Sequence, residues 1–205
     1  MNTASHAQCG SIPPSSNTCA HANAYLDMSN IWISGAQVSA ARLGMAASPS
    51  AAAQSGVFDR SYRLNFGSLR RFVVGGVDSA RTICVGSLKA GGCDCIGDAT
   101  QQAGWQTTMQ VRAKSGREKA VDTSLSVFMV EDLLTTHVDP SEMDVTLLSG
   151  DRDLLPAVEA VMRRGFAVDV VAWDHSASTE LRQIARRFIS LDSYFNLLTF
   201  RKDLH

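Results

Sequence analysis

The feature that most constrains this chain is a regular alternation of short apolar runs with helically spaced segments. The runs are Ala24–Met28, Arg81–Gly86, Trp105–Arg112, Asp144–Leu148, Ala167–Trp173 and Phe188–Leu191. Each is short enough for a strand. Between them apolar residues recur at three- and four-residue steps, most clearly Leu125, Phe128, Met129, Leu133 and Leu134 within 121–137. The order reads β-α-α-β-α-β-α-β-α-β-α-β. Strands alternating with helices imply a mostly parallel sheet with helices on both faces.

Helix limits follow from local chemistry. Gly75-Gly76, Gly104 and Gly165 are stops. Pro156 suits a first helical turn, where N–H groups have no intrahelical partner. Ser178 is positioned to cap a helix over Thr179–Arg187. The spacing of Leu64, Leu69 and Phe72 predicts a helix over Tyr62–Val74, and the Ala-rich 31–47 another. Ser48–Gly56 reads as a linker within the domain and 87–97 as a glycine-rich loop. Residues 1–23, rich in Ser, Asn, Ala and Pro, read as a flexible tail before a single domain over 24–205.

Composition narrows the class. Of 205 residues 45% are hydrophobic, enough for a core, and no apolar run reaches the roughly 18 residues of a membrane helix. No Lys or Arg precedes Arg42, which argues against a signal peptide. With five cysteines, an odd count, the expectation is a reduced, cytoplasmic protein. Cys93 and Cys95, with Cys84 or with Cys9, Cys19 and His21, match no common zinc spacing, so free thiols are the expectation. The net charge of −1 gives no global attraction to nucleic acid and leaves room for a local basic groove.

Charge is distributed unevenly. Residues 1–58 hold two charged side chains, Asp27 and Arg42. Ligands of open parallel sheets collect at the carboxyl ends of strands, and there the sequence places Asp27, Asp151 and Asp153. Asp122, at a helix start, points to the same rim. Carboxylates gathered so closely repel unless a cation joins them. Mg²⁺ or Mn²⁺ suits oxygen donors and in such sites activates water for attack at phosphorus. Ordinary roles compete: Asp122 and Asp153 as helix N-caps, Asp151 as a turn residue. Asp27 fits a bland role less well, because Ser29 and Asn30 are also available as caps. Placement alone leaves both readings open.

The same residues resemble a known family. Ala24–Trp32 (AYLDMSNIW) is similar to the opening strand of NYN domains, where a strand-end Asp is followed three residues later by Asn. Glu118–Leu125 (EKAVDTSL) resembles the family's Glu-Lys-Gly-Val-Asp segment, and Leu147–Val158 (LLSGDRDLLPAV) its Ser-Gly-Asp-x-Asp-hydrophobic-x-Pro signature. Residues 165–192 resemble its closing strand, helix and strand. The likeness spans about residues 24 to 192. It implies a PIN-like three-layer α/β/α fold and a Mg²⁺- or Mn²⁺-dependent endoribonuclease with Asp27, Asp122, Asp151 and Asp153 as the catalytic, metal-holding acids. Asn30 would hold Asp27 or the scissile phosphate, and Ser87 matches a Gly-Ser pair near the site. Two positions depart from the family: Ser29 and Phe128 stand where many relatives add an Asp. They support the alternative of a weakly active or inactive domain that binds RNA or protein.

RNA is the expected partner, with no membrane, and self-association into a homodimer stays open. Arg117, Lys119 and Arg152 are the expected phosphate contacts, helped by Arg112 and Lys114 and extended by Arg70 and Arg71. Arg182, Arg186 and Arg187 fit a solvated helix face better. Trp32 and Trp105 suit packing better than base stacking. His137 and His175 have no metal-type spacing. A phosphatase-like phosphotransfer domain is disfavoured, because no Asp-x-Asp pair closes the first strand.

Overall fold

The computed structural model describes residues 19–77, 79–88, 95–111 and 119–202. Strand β1 (His21–Asp27) is buried beyond its first residue and starts inside the stretch read above as tail. Its alternating side chains feed two cores: Ala22, Ala24 and Leu26 face one layer of helices, Tyr25 the other. Helix α1 (Met28–Arg42) follows without a loop, because the Asp27 carboxylate itself caps it and accepts the Asn30 N–H at 3.1 Å.

The expected linker at Ser48–Gly56 is instead helix α2 (Pro49–Ser55). Ser48 accepts the Ala51 N–H, Pro49 opens the first turn, and Gly56 closes it with φ 65°. The expected helix over Tyr62–Val74 is split. Tyr62–Leu64 forms strand β2, and helix α3 (Phe66–Val74) begins only after Asn65 caps it.

Strand β3 (Ser79–Leu88), helix α4 (Cys95–Gln102), strand β4 (Gln106–Val111) and helix α5 (Lys119–Thr135) come next. They are followed by β5 (Met143–Leu148), α6 (Leu155–Met162), β6 (Val168–Ala172), α7 (Thr179–Ile184), β7 (Arg187–Ser190), α8 (Phe195–Leu198) and β8 (Thr199–Arg201). The main sheet has the order β4-β3-β1-β5-β6-β7, with every pair parallel. β2 and β8 form a separate antiparallel pair, which the sequence reading missed. One sheet face carries α1, α3 and α8, and the other α5, α6 and α7. The expected α/β/α architecture is therefore present. Among the described residues no helix is long and apolar enough to cross a membrane.

This topology selects one crevice. From β1 the chain crosses to β3 and β4, whereas from β5 it crosses to β6 and β7 on the opposite side. The order reverses between β1 and β5, and the carboxyl ends of those strands diverge there.

The β2 pair packs tightly on α1. A Cβ on Gly35 would lie 2.1 Å from the Tyr62 hydroxyl, so only glycine fits against this phenol. Tyr62 is buried and its hydroxyl has no hydrogen-bond partner among the described residues. An unsatisfied buried hydroxyl costs about 1 kcal/mol or more. Tyr62→Phe is therefore expected to raise unfolding stability by about 1 kcal/mol, read as a higher urea midpoint at unchanged slope.

Candidate active site

Three carboxylates meet at the crevice. Asp27 ends β1, Asp151 follows β5, and Asp122 lies in the first turn of α5. One oxygen from each lies within 4.8 Å of the others. Asp153 does not join this group. Asp151 caps the short 3-10 turn Arg152–Leu154 by accepting the Asp153 N–H at 3.0 Å, and the Asp153 side chain is exposed. Of the four expected acids, three converge and the fourth lines the neighbouring groove.

Asp27 is held from two sides. Ser149 Oγ donates to its Oδ2 at 3.1 Å and the Asn30 N–H donates to its Oδ1. Ser149 Oγ also accepts the Asp151 N–H at 3.1 Å, so one hydroxyl sets the spacing of two acids. The Asn30 side-chain oxygen accepts the Gly150 N–H at 3.0 Å and ties α1 to the loop after β5. Asn30 thus does part of what the sequence reading expected: its backbone holds Asp27 and its side chain the loop. Ser149 was missed as a positioning group. Ser-Gly between strand and Asp was legible only as a strand end, and nothing local reveals that the hydroxyl turns back to β1.

Burial is the largest influence on Asp27, which is only 3% exposed. It pushes the carboxyl up, the two hydrogen bonds pull it down, and the charges of Asp122 and Asp151 push it up again, to a pKa of about 6. Three carboxylates in one cleft, one of them buried and destabilised as an anion, form an all-oxygen donor set that fits a hard divalent cation such as Mg²⁺ or Mn²⁺.

Gly150 is required by close approach. A Cβ there would lie 2.3 Å from the backbone oxygen of Ser176, while the Gly150 carbonyl accepts the Ser178 N–H at 2.9 Å. Gly150→Ala must push these loops apart and is expected to cost about 1–3 kcal/mol, measured by equilibrium urea unfolding.

The remaining expected residues scatter. Ser87, near the end of β3, places its hydroxyl 3.5 Å from that of Ser29. Arg152 pairs with Glu180 at 3.1 Å on the exposed rim. It shares with Asp122 a groove of about 740 Å³ lined also by Thr123, Val127, Asp153 and Pro156. Arg117, Arg112 and Lys114, like Cys9 and Cys93, lie outside the described residues, as does the Lys119 side chain. Arg70 donates to Thr82 and Arg71 to Ser68. Phe128 packs against the core under α5 and α6. Trp105 is buried and donates to the Phe66 carbonyl, and Trp32 packs on Tyr62 and Phe66, so both serve packing as expected.

Arg186 and Arg187 correct the expectation of a solvated helix face. Helix α7 stops at Ile184 and Arg187 starts β7. Arg186 donates to both oxygens of the buried Asp169 and to Asp144, and Arg187 also pairs with Asp169. This cluster sits near the amino ends of β5 and β6, at the end of the strands opposite the three acids. Arg182 alone remains on the helix, bonded to Asp174.

A family model described as NYN domain matches residues 21–192. No curated protein matches the chain. Among solved structures, that of a protein of unknown function from Vibrio parahaemolyticus RIMD 2210633 is similar, with a TM-score of 0.60 and 14% identity. The match covers 90% of this chain and 99% of that one. At that identity the likeness is one of fold. None of these comparisons supports pairing of two copies.

Proposed function

The chain belongs to the NYN domain family of PIN-like nucleases, and on that premise we propose that it is a metal-dependent endoribonuclease acting at Asp27, Asp122 and Asp151. The observation that carries this reading is the meeting of three carboxylates at the point where the strand order reverses. Asp27, Asp122 and Asp151 would hold Mg²⁺ or Mn²⁺. Such a cation supplies a water of lowered pKa and neutralises charge on the phosphoryl oxygens.

The chain's own residues set the stage. Ser149 orients Asp27 and fixes the Asp151 backbone, so both anions are in place before substrate arrives. Asn30 locks the Gly150 loop against α1, which limits how far Asp151 can drift. In this reading Arg152, with Arg117 and Lys119 from the segment before Asp122, meets the phosphates, Asp153 lies along the strand's path in the neighbouring groove, and Ser87 faces the site from β3.

A second reading, binding without cleavage, draws on Ser29 and Phe128, which supply no further carboxylate. One assay separates the two. Labelled single-stranded RNA incubated with the protein and Mg²⁺ or Mn²⁺ is expected to be cut internally, and EDTA to stop the cutting. Intact RNA under every divalent cation tried, with binding that survives EDTA, would select the second reading.

A further inference from the structure

The cavity at the acids does not end with them. Its volume of about 220 Å³ is lined by Asp27, Asp122 and Asp151 and also by Ile33, Ser34 and Gln37 of α1. Asn30, Ile33, Ser34 and Gln37 follow at three- and four-residue steps, so they form one stripe of the helix. Gln37 lies roughly 10 Å beyond Asn30 along the axis. Ile33 offers no oxygen, yet its side chain is 44% exposed beside a polar cleft.

The Gln37 amide is not free to turn. Its Oε1 lies 3.0 Å from His175 Nε2. His175 Nδ1 is buried and has no partner among the described residues. A buried N–H without an acceptor is rarer than a buried acceptor without a donor, which makes Nδ1 the bare nitrogen and Nε2 the one that carries the proton. Burial keeps the ring below its usual pKa, against the upward pull of Asp192 and Asp174, so it stays neutral. Nε2–H then donates to Oε1, and the amide NH₂ is the group that Gln37 has left for the cavity.

We propose that this end of the cavity is a nucleobase subsite, where Ile33 packs on the face of a base beside the scissile phosphate and the Gln37 amide donates to a carbonyl oxygen on its edge. His175 is a positioning residue that acts through Gln37. The inference rests on the ribonuclease reading. It also has a direction. Glutamine reads adenine through a two-bond pair in which its oxygen accepts from the adenine amino group. Here His175 holds one of that oxygen's two lone pairs, so a base that offers an acceptor to the NH₂ without bringing an amino group against the oxygen fits best. The subsite therefore favours uracil or guanine, whose edges offer carbonyl oxygens, over adenine, by roughly tenfold for one discriminating pair.

Two measurements test it. In EDTA, fluorescence anisotropy compares labelled oligouridylate with oligoadenylate of equal length. Wild type is expected to bind the first roughly tenfold tighter. Gln37→Met, which keeps the shape and removes the donors, is expected to erase the difference. His175→Phe frees the amide and is expected to narrow it, whereas Ile33→Ala weakens both ligands alike. Equal wild-type binding of the two, no binding, or a preference that survives Gln37→Met overturns the subsite. In parallel, the ends cut from a random-sequence RNA are sequenced with Mn²⁺ present. Adenine is expected to be depleted at one position next to the cut, and only for proteins that keep Gln37. If RNA is not cut at all the ribonuclease reading fails, and the anisotropy result still decides the subsite.

Discussion

Replacing Asp27 by Asn is expected to abolish RNA cleavage and to raise the melting temperature together. The two effects share one cause. Asp27 is buried between Asp122 and Asp151, and its carboxyl titrates at about 6. A carboxyl whose folded pKa exceeds its unfolded value destabilises the fold at all pH values above the folded pKa. The cost fades as pH falls through about 6 and is gone below the unfolded value. At pH 7.5 it amounts to about 3 kcal/mol. Asparagine carries no charge and still accepts the Asn30 N–H, so most of that cost is relieved. For a chain of this length a gain of about 2 kcal/mol raises the melting temperature by roughly 5 °C. The gap between variant and wild type should close as pH falls from 6 towards 4. Cleavage should fall by about three orders of magnitude, the size of losing several kcal/mol of charge stabilisation at the transition state. Calorimetry at pH 7.5 and 5, with and without Mn²⁺, supplies a reading independent of activity: Mn²⁺ should raise the melting temperature of wild type and leave the variant nearly unmoved. A variant that cleaves like wild type, or melts lower at pH 7.5, would sink the assignment of Asp27.

Legibility in the sequence followed the range of the interactions. Asp27 was readable because a strand pattern ends on it, Asp151 because it follows the Ser-Gly that closes another, and Asp122 because it opens a periodic helix. Asp153 follows the same strand as Asp151 and completes the Ser-Gly-Asp-x-Asp resemblance, yet residues two apart in a tight 3-10 turn point well away from each other, and the turn that Asp151 caps carries Asp153 outward. α2 was missed although its signals were local: Ser48, Pro49 and Gly56 are cap, first-turn and stop residues, but uniform alanines give no periodicity to notice. β2 was illegible for a different reason. Its partner β8 lies far along the chain, and Leu64 stands five residues before Leu69, which is not a helical step; only burial on one side joins them. Gln37 and His175 are 138 residues apart, so their contact had no sequence signal. The polar stripe of Asn30, Ser34 and Gln37 on a nearly uncharged helix was the one available hint.

At the opposite end of the strands, Asp169→Ala is expected to produce a large loss of stability and none of the loss of chemistry. Asp169 is 3% exposed and receives hydrogen bonds from Arg186 at 2.8 Å on both oxygens, with Arg187 beside it. Burial acts to raise its pKa, but the two guanidiniums outweigh burial and hold the carboxyl below its usual range. The sign is opposite to that of Asp27: this stability is fully present above the unfolded pKa and is lost as pH falls through the depressed folded value. Removing the carboxylate takes from Arg186 and Arg187 the buried anion they share, and breaking a buried pair from one side costs about 3–5 kcal/mol. Replacing the whole cluster is a different matter. The quadruple variant Asp144→Asn, Asp169→Leu, Arg186→Met and Arg187→Leu removes both the attraction and the desolvation it must offset, so it is expected to recover much of the loss. Urea unfolding of the two variants decides between an ion cluster that stabilises by pairing and one that merely tolerates burial: equal, small losses in both would mean that Asp169 is solvated enough to stand alone. Cleavage per folded molecule should stay within about twofold of wild type in either variant, because additivity holds for sites this far apart.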